Sequence, residues 1–483
     1  MSQNEKHFTE KSFTFFTINY VVGVGFLTTI GSLVLFNYWS YLIIALAGFV
    51  IFAVSLLFSR LANNFKEHYG GSYTFAKHIN DGNLTPLQAK VARYFSFFVG
   101  WNQFLQAPIL SSVSPLFLAS TIISLIDKNI ENYNVYVWVI RVLSLLFFVF
   151  LIFLSTIGLK TNKKIILITS SIKWFTVLLG IGILVYSVIS TPQYSANLMQ
   201  FKSHEIGKIN AQLIFANALL FVYAFAGTED VSAMAKDVKF KNFRKILLIS
   251  FAFVITFYFV TFTLLLGFDV VKTKQGLIGI YSVFLVFGSI LFIMGYLAND
   301  VTAKITISVS TARKLVPMCE DGHLFSSLTK RNTKGEFRNA IWFTTGITLA
   351  TLVLFWLLNI FLGNQTQEQM DNFFETAILG SSLGLLVEDL CSFISAFVLD
   401  KRKIIKKIPI WEKIIYILAI ILILVMVISY FFPQIYGIAP NVNTIVVVSI
   451  YFGFLILGFI LKLTNKFIAP KIIKLYQKKF KKS

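Results

Sequence analysis

Apolar residues arrive along this chain in long uninterrupted blocks, not in alternation. Between Ser12 and Ser59 there is no Asp, Glu, Lys or Arg. Similar blocks recur to the end of the chain. Each is as long as the roughly 20 residues that cross the hydrocarbon core of a bilayer. They predict twelve spans, at about 13–36, 40–60, 92–126, 135–157, 164–190, 210–236, 246–268, 277–310, 339–362, 373–399, 413–432 and 442–462. The first two spans form a tight hairpin turned at Asn37-Tyr38, and the last two turn between Pro433 and Pro440. Trp39, Trp138, Trp342 and Trp411 fall near span ends, as an aromatic belt requires. The stretches 61–91 and 311–338 are too polar to span and are expected as loops, with Gly71 to Ile79 a candidate short helix on the membrane surface.

Charge gives the blocks a direction. If every second loop faces the cytoplasm, the inside segments hold 35 of the 43 Lys and Arg. The outside loops hold five (Lys128, Lys202, Lys208, Lys272, Lys274) and the spans three (Arg141, Lys173, Lys304). This is the positive-inside pattern, with both termini cytoplasmic and the plasma membrane the expected location. The net charge of +21 therefore reads as inside loops and a basic tail facing anionic inner-leaflet lipid, not as a nucleic-acid surface. Each lysine near such a surface contributes about 1 kcal/mol. The first block is too long for a signal-peptide core and is read as a retained helix. Cys319 and Cys391 form no CxxC pair and are expected as reduced thiols. All five histidines fall in the tail or loops, and no HExxH or Walker pattern occurs. An intramembrane metalloprotease or an ATP-driven pump is thereby set aside, and no enzyme, catalytic residue or metal site is expected.

Two spans are broken. Gly23-Val24-Gly25 interrupts the first, and Ala226-Gly227-Thr228 interrupts the sixth, just before Glu229 and Asp230. Interruptions at matching places five spans apart point to an inverted-repeat transporter, because an odd number of crossings inserts the second unit upside down. A break in mid-membrane frees N–H and C=O groups that lipid does not satisfy. Freed N–H groups favour a carboxylate and freed carbonyls an ammonium, so a zwitterion such as an amino acid fits the pair. The same glycines also serve close helix packing, and that reading stays open beside the first.

Six short motifs, in order and at family spacing, resemble the amino acid–polyamine–organocation superfamily of permeases over about residues 13–340. They are Gly23-Val24-Gly25-Phe26; Gly70-Gly71-Ser72-Tyr73; Gly100-Trp101; Gly158-Leu159-Lys160 followed by Lys173; Phe225-Ala226-Gly227-Thr228-Glu229 followed by Val238-Lys239; and Ala312-Arg313 with Glu320-Asp321-Gly322. Departures from the pattern are Val24, where a carboxylate-binding Ser is frequent, and Phe243 and Ser326 in neighbourhoods that often hold proline. The resemblance implies that Lys173 fills the place of a sodium ion, bridges the first and eighth helices, and in some members carries a proton. Against this stands a lysine that snorkels to the inside surface, although about nine residues of helix, roughly 13 Å, separate it from Lys163-Lys164. Glu229 is a pH-sensing or entry residue by resemblance, or a helix-capping acid. Asp300 and Lys304 stand at i,i+4 and are expected to pair on one face. Glu388 and Asp389 match no family motif, and Arg141 reads as an interfacial anchor.

The expectation is an all-α polytopic membrane protein of twelve helices in a five-plus-five inverted repeat. Its parts are a tail (1–12), a first repeat (13–190), a second repeat (210–399), helices eleven and twelve (413–462) and a basic tail (463–483). It carries an amino acid or amine by alternating access, with protons as the coupling ion and no other cofactor. Exchange without net proton movement, or a non-transporting sensor of the same fold, are the alternatives. Expected substrate-site residues are Gly23, Val24, Gly25, Phe26, Asn102, Tyr223, Phe225, Ala226, Gly227 and Thr228, with Gln106 beside Asn102, and Tyr223 and Phe225 closing over the solute. Lys173 and Glu229 are expected to couple or sense protons. The side chain transported and the oligomeric state are left open.

Overall fold

The computed structural model describes residues 8–123, 125–127, 129–204, 209–269, 277–361, 367–437 and 442–467. The basic tail beyond Phe467 lies outside the described residues, as do Lys128, Lys208, Lys272 and Lys274. Within them the chain is a bundle of helices. In order these are α1 (Glu10–Val21), α2 (Val24–Leu33), α3 (Trp39–Asn64), α4 (Ser72–Lys77), α5 (Pro86–Ile123), α6 (Tyr133–Ser155), α7 (Leu159–Ser190), α8 (Tyr194–His204) and α9 (Ala211–Val222). There follow α10 (Thr228–Ala233), α11 (Phe243–Leu266), α12 (Ile278–Tyr281), α13 (Leu285–Glu320), α14 (Arg338–Phe361), α15 (Gln367–Lys401), α16 (Ile410–Phe431) and α17 (Val442–Phe467).

Among the described residues, eleven helical segments are long and apolar enough to cross a membrane. The first expected span is not one of them, because its break leaves helices of 12 and 10 residues. Outward faces are apolar at helical spacing: Ile414, Ile417, Leu418, Ile421, Leu424 and Ile428 of α16 are all exposed. Such faces belong against hydrocarbon, where the backbone must be satisfied within each helix. Trp39, Trp138 and Trp411 are about half exposed near helix starts.

Local chemistry sets the helix starts. Thr9 and Ser12 form a capping box at α1, and Asn210 and Asn242 accept N–H bonds at the starts of α9 and α11. Asn37, at φ 50°, turns the α2–α3 hairpin where the sequence places it. Three boundaries differ from expectation. Residues 8 and 9, read as polar tail, pair in parallel with Val238-Lys239, which ties the N-terminal segment to the chain just beyond α10. The loop expected from 311 begins only after Glu320. The charges that suggested a loop, Arg313 and Lys314, are buried and neutralised by partners from distant segments. The helix expected on the membrane surface is α4, and it is buried: Ser72 Oγ donates to Glu388 (2.5 Å) and Tyr73 Oη to Asp321 (2.5 Å).

Candidate functional site

The two interruptions meet at the centre of the bundle. At the first, the N–H of Val22 bonds to Ile18 O (2.9 Å) and that of Gly23 to Val21 O (2.7 Å), which ends α1. The chain restarts at Val24 with Gly23 as N-cap, and no side chain caps the new helix. At the second, α9 runs into a 3-10 turn over Tyr223–Phe225, then Ala226 and Gly227, before α10 begins. A β-carbon on Gly25 would lie 2.5 Å from the carbonyl oxygen of Tyr223, so only glycine lets the two breaks approach this closely. Gly227 adopts φ 125°, a conformation left to glycine, and the ring of Tyr20 occupies the space a side chain would need.

Side chains from other helices take up the loose backbone groups. The fully buried Tyr258 of α11 points its hydroxyl at Ala224 O (2.5 Å) and Val21 O (3.3 Å), one carbonyl from each break. Lys173 of α7 donates to the carbonyl of Asn19 (2.6 Å), just before the first break. Its expected link to the eighth span is made one turn earlier, by Thr169 and Thr302 hydroxyls at 2.8 Å. Glu229 caps the second break by accepting the Gly227 N–H (2.8 Å), while its second oxygen is buried without a partner among the described residues. Asp230 accepts from Tyr20 Oη (2.5 Å) and pairs with Lys314. α10 is thereby tied to both α1 and α13.

A cavity of about 80 Å³ lies between the breaks. One buried water occupies about 10–15 Å³ on this measure, so several fit. Gly23, Gly25, Tyr223, Ala226 and Glu229 line it, together with Gln106. The remaining expected residues do not. Asn102 donates to Gly384 O (2.9 Å) and accepts from Tyr451 Oη (2.5 Å), which commits it to holding α5 against α15 and α17. Phe26 and Phe225 both pack on Tyr258, with ring centroids at 4.7 and 4.9 Å, behind the breaks instead of inside the cavity. Gly227 and Thr228 lie next to the lining residues without joining them. The side chain of Val24 lies outside the described residues.

Several wall residues were not foreseen. Tyr20, Ser114 and Phe117 line the cavity, as do Lys304 and Ser381. Tyr20 stands five residues before Gly25, which is a signal the sequence offers. Ser381 and Ser114 carry none. Beyond the cavity, Glu388 accepts from Ser72 and Gln106, whereas both oxygens of the buried Asp389 have no partner among the described residues. Among the described residues no group of three or more His, Cys, Asp or Glu is arranged to hold a metal ion.

Residues 8–471 match the amino acid permease family. The chain is 32% identical to the uncharacterized protein MG225 of Mycoplasma genitalium, with 97% of this chain and 96% of the relative aligned. It is 30% identical to the uncharacterized protein MG226 of the same organism, over 89% of this chain and 90% of that one. It is also 30% identical to the MG226 homologue of Mycoplasma pneumoniae, over 73% and 72%.

Proposed function

From the premise that this chain belongs to the amino acid permease family, and is thus a multi-pass membrane transporter of amino acids, we propose that it works by alternating access around the two breaks. The observation that carries this reading is the direct approach of Gly25 to the Tyr223 carbonyl at the wall of the cavity that both line. The N-terminal end of α2, which begins at Val24 with no side chain capping it, receives the α-carboxylate of the solute. Tyr223, Ala226 and Glu229 receive its amine. A transporter moves only if solute binds the closed state better than the open one. Groups contributed by two separate helix breaks, which converge only on closure, supply that difference.

In this reading α1 and α2 count as one broken span, which raises the total to twelve. The first five form one repeat (13–190), the next five an inverted second (210–399), and α16 and α17 an appendix. Both termini face the cytoplasm of a plasma membrane. Lys173 ties the scaffold to the first break, and its proton couples uptake to the proton gradient. One observation favours the second reading, exchange: the Lys173 ammonium is already held at 2.6 Å by a backbone carbonyl, as a fixed strut would be.

Proteoliposomes separate the two. Proton-coupled uptake of a labelled amino acid needs an imposed pH gradient. Exchange needs internal solute instead. The expected result for Lys173→Ala is loss of pH-driven accumulation with counterflow retained. Undiminished pH-driven uptake by a folded variant removes Lys173 from coupling. Absence of saturable uptake in either format, with wild-type protein and every amino acid, removes the transport proposal.

A further inference from the structure

Lys304 and Asp300 stand four residues apart on α13, and that spacing predicts an ion pair. The structure forms none. Asp300 instead accepts from Ser114 Oγ of α5 at 2.8 Å. The Lys304 ammonium sits 5.3 Å from the centroid of the Phe148 ring, and no ion pair or hydrogen bond reaches it among the described residues. The residue is only 5% exposed. A cation in such a place is costly unless it is paired, and intramembrane lysines without a protein partner mark solute pathways.

The surroundings of Lys304 are those of an anion receptor. It lines the cavity between the breaks and also a smaller cavity beside it, which shares Ala107 and Ile307 with the first. Half of the residues that wall the smaller cavity carry hydroxyls. Thr344, Thr345 and Thr348 direct theirs to carbonyls one turn back on α14. Ser111, Ser308 and Thr311 line this cavity too, and the buried Thr311 hydroxyl has no hydrogen-bond partner among the described residues. The other charges nearby do not serve it. Asp230 is neutralised by Lys314, and Glu229 lies at the opposite break with one oxygen unpartnered. A solute that completes both ends carries an amine for Glu229 and an anionic group for Lys304.

We propose that Lys304 binds a side-chain carboxylate, so that the solute class of this permease is the acidic amino acids. The inference rests on the transport reading above and narrows its substrate. The deciding experiment is a thermal-shift titration of the purified full-length protein with glutamate, aspartate, glutamine, asparagine and lysine. A ligand that binds only the folded form raises its melting temperature. The acids are expected to act at concentrations about tenfold or more below those of their amides, since a buried charge pair loses at least that much when one partner is removed. Lys304→Met is expected to erase the preference, and Lys304→Arg to keep it. Equal effects of acid and amide, or a Lys304→Met protein that still prefers acids, overturn the proposal and leave the transport reading intact. No shift with any amino acid overturns both. Should Lys304→Met fail to fold, the acid-to-amide ratio in wild type and in Lys304→Arg decides.

Discussion

Two buried charged regions of this molecule lie close together and differ in one respect. Where α13 leaves the bundle core, every buried charge has an opposite number. Arg313 bonds Asp237 (2.5 Å) and Glu336 (3.2 Å), and Lys314 pairs with Asp230. Around the central cavity Asp230 shares in that pairing, but other charged groups stand without an ion pair among the described residues. Among the described residues Lys304 faces the Phe148 ring and forms no ion pair, one oxygen of Glu229 has no donor, and neither oxygen of Asp389 has one. Burial is similar in the two regions: Arg313 is 2% exposed and Glu229 is 2% exposed. Depth therefore does not separate them, and pairing does. The first set closes on itself and holds segments distant in sequence together. The second set is left incomplete at a stability cost that the fold sustains elsewhere, which is the usual mark of a site awaiting a ligand.

The largest effect that would break this contrast is expected in the paired set. Arg313→Ala leaves the buried Asp237 and Glu336 carboxylates without the cation they share. Loss of one partner from a buried network costs about 3–5 kcal/mol. The expected outcome is a protein that aggregates or elutes in the void volume on size-exclusion chromatography. A monodisperse Arg313→Ala protein with a wild-type melting temperature would show that the pairing carries no structural load.

The next largest effect has the opposite sign. Lys304→Met removes an ammonium that has the Phe148 ring but no ion pair among the described residues, and replaces it with an unbranched apolar chain of similar length. In the absence of amino acid, the variant is expected to melt higher than wild type, by the equivalent of about 1 kcal/mol or more. A lower melting temperature would mean that Lys304 has a structural partner after all, and the contrast between the two regions would dissolve.

The sequence revealed the breaks but not the pairing. Gly23, Gly25 and Gly227 are legible because glycine in an apolar block has few local uses, and a helix break is a local event. Pairing is a matter of long-range contact. Lys304 looks satisfied in one dimension because Asp300 is four residues away, yet Asp300 is taken by Ser114, 186 residues distant. Arg313 and Lys314 look like the start of a loop because their acids lie at Asp230, Asp237 and Glu336, on other segments. Asn102 looks like a wall residue because a polar side chain in an apolar block invites that reading, whereas Gly384 and Tyr451, which occupy it, are some 280 and 350 residues on. Aromatic residues mislead in the same way. Phe26 and Phe225 flank the two breaks in sequence, but both rings turn toward Tyr258, whose part in joining the breaks no local pattern announces.

The smallest effect tests whether the contrast extends to a group outside the spans. His323 follows the α13 terminus, with its ring packed edge-on against Phe97 (5.4 Å) and Tyr73 (6.3 Å). Burial, reinforced by the Lys462 ammonium, pushes its imidazole down from 6.5 to about 4. In the unfolded chain the ring takes up a proton near 6.5, and in the folded protein it does so only near 4. Between those values the unfolded state binds more protons, so stability rises with pH across the window. The contribution is complete above about 6.5 and is lost as pH falls through about 4. His323→Phe keeps an aromatic ring against Phe97 and Tyr73 and removes the titration. Its melting temperature is expected to fall less steeply than that of wild type between pH 6.5 and 4 and to match wild type near pH 8. Parallel curves for the two proteins would mean that the imidazole takes up its proton at the same pH in the folded and unfolded states. His323 would then be a cation below pH 6.5 beside Lys462, whose buried ammonium has no hydrogen-bond partner among the described residues, and this end of the bundle would belong with the incomplete set instead of the paired one.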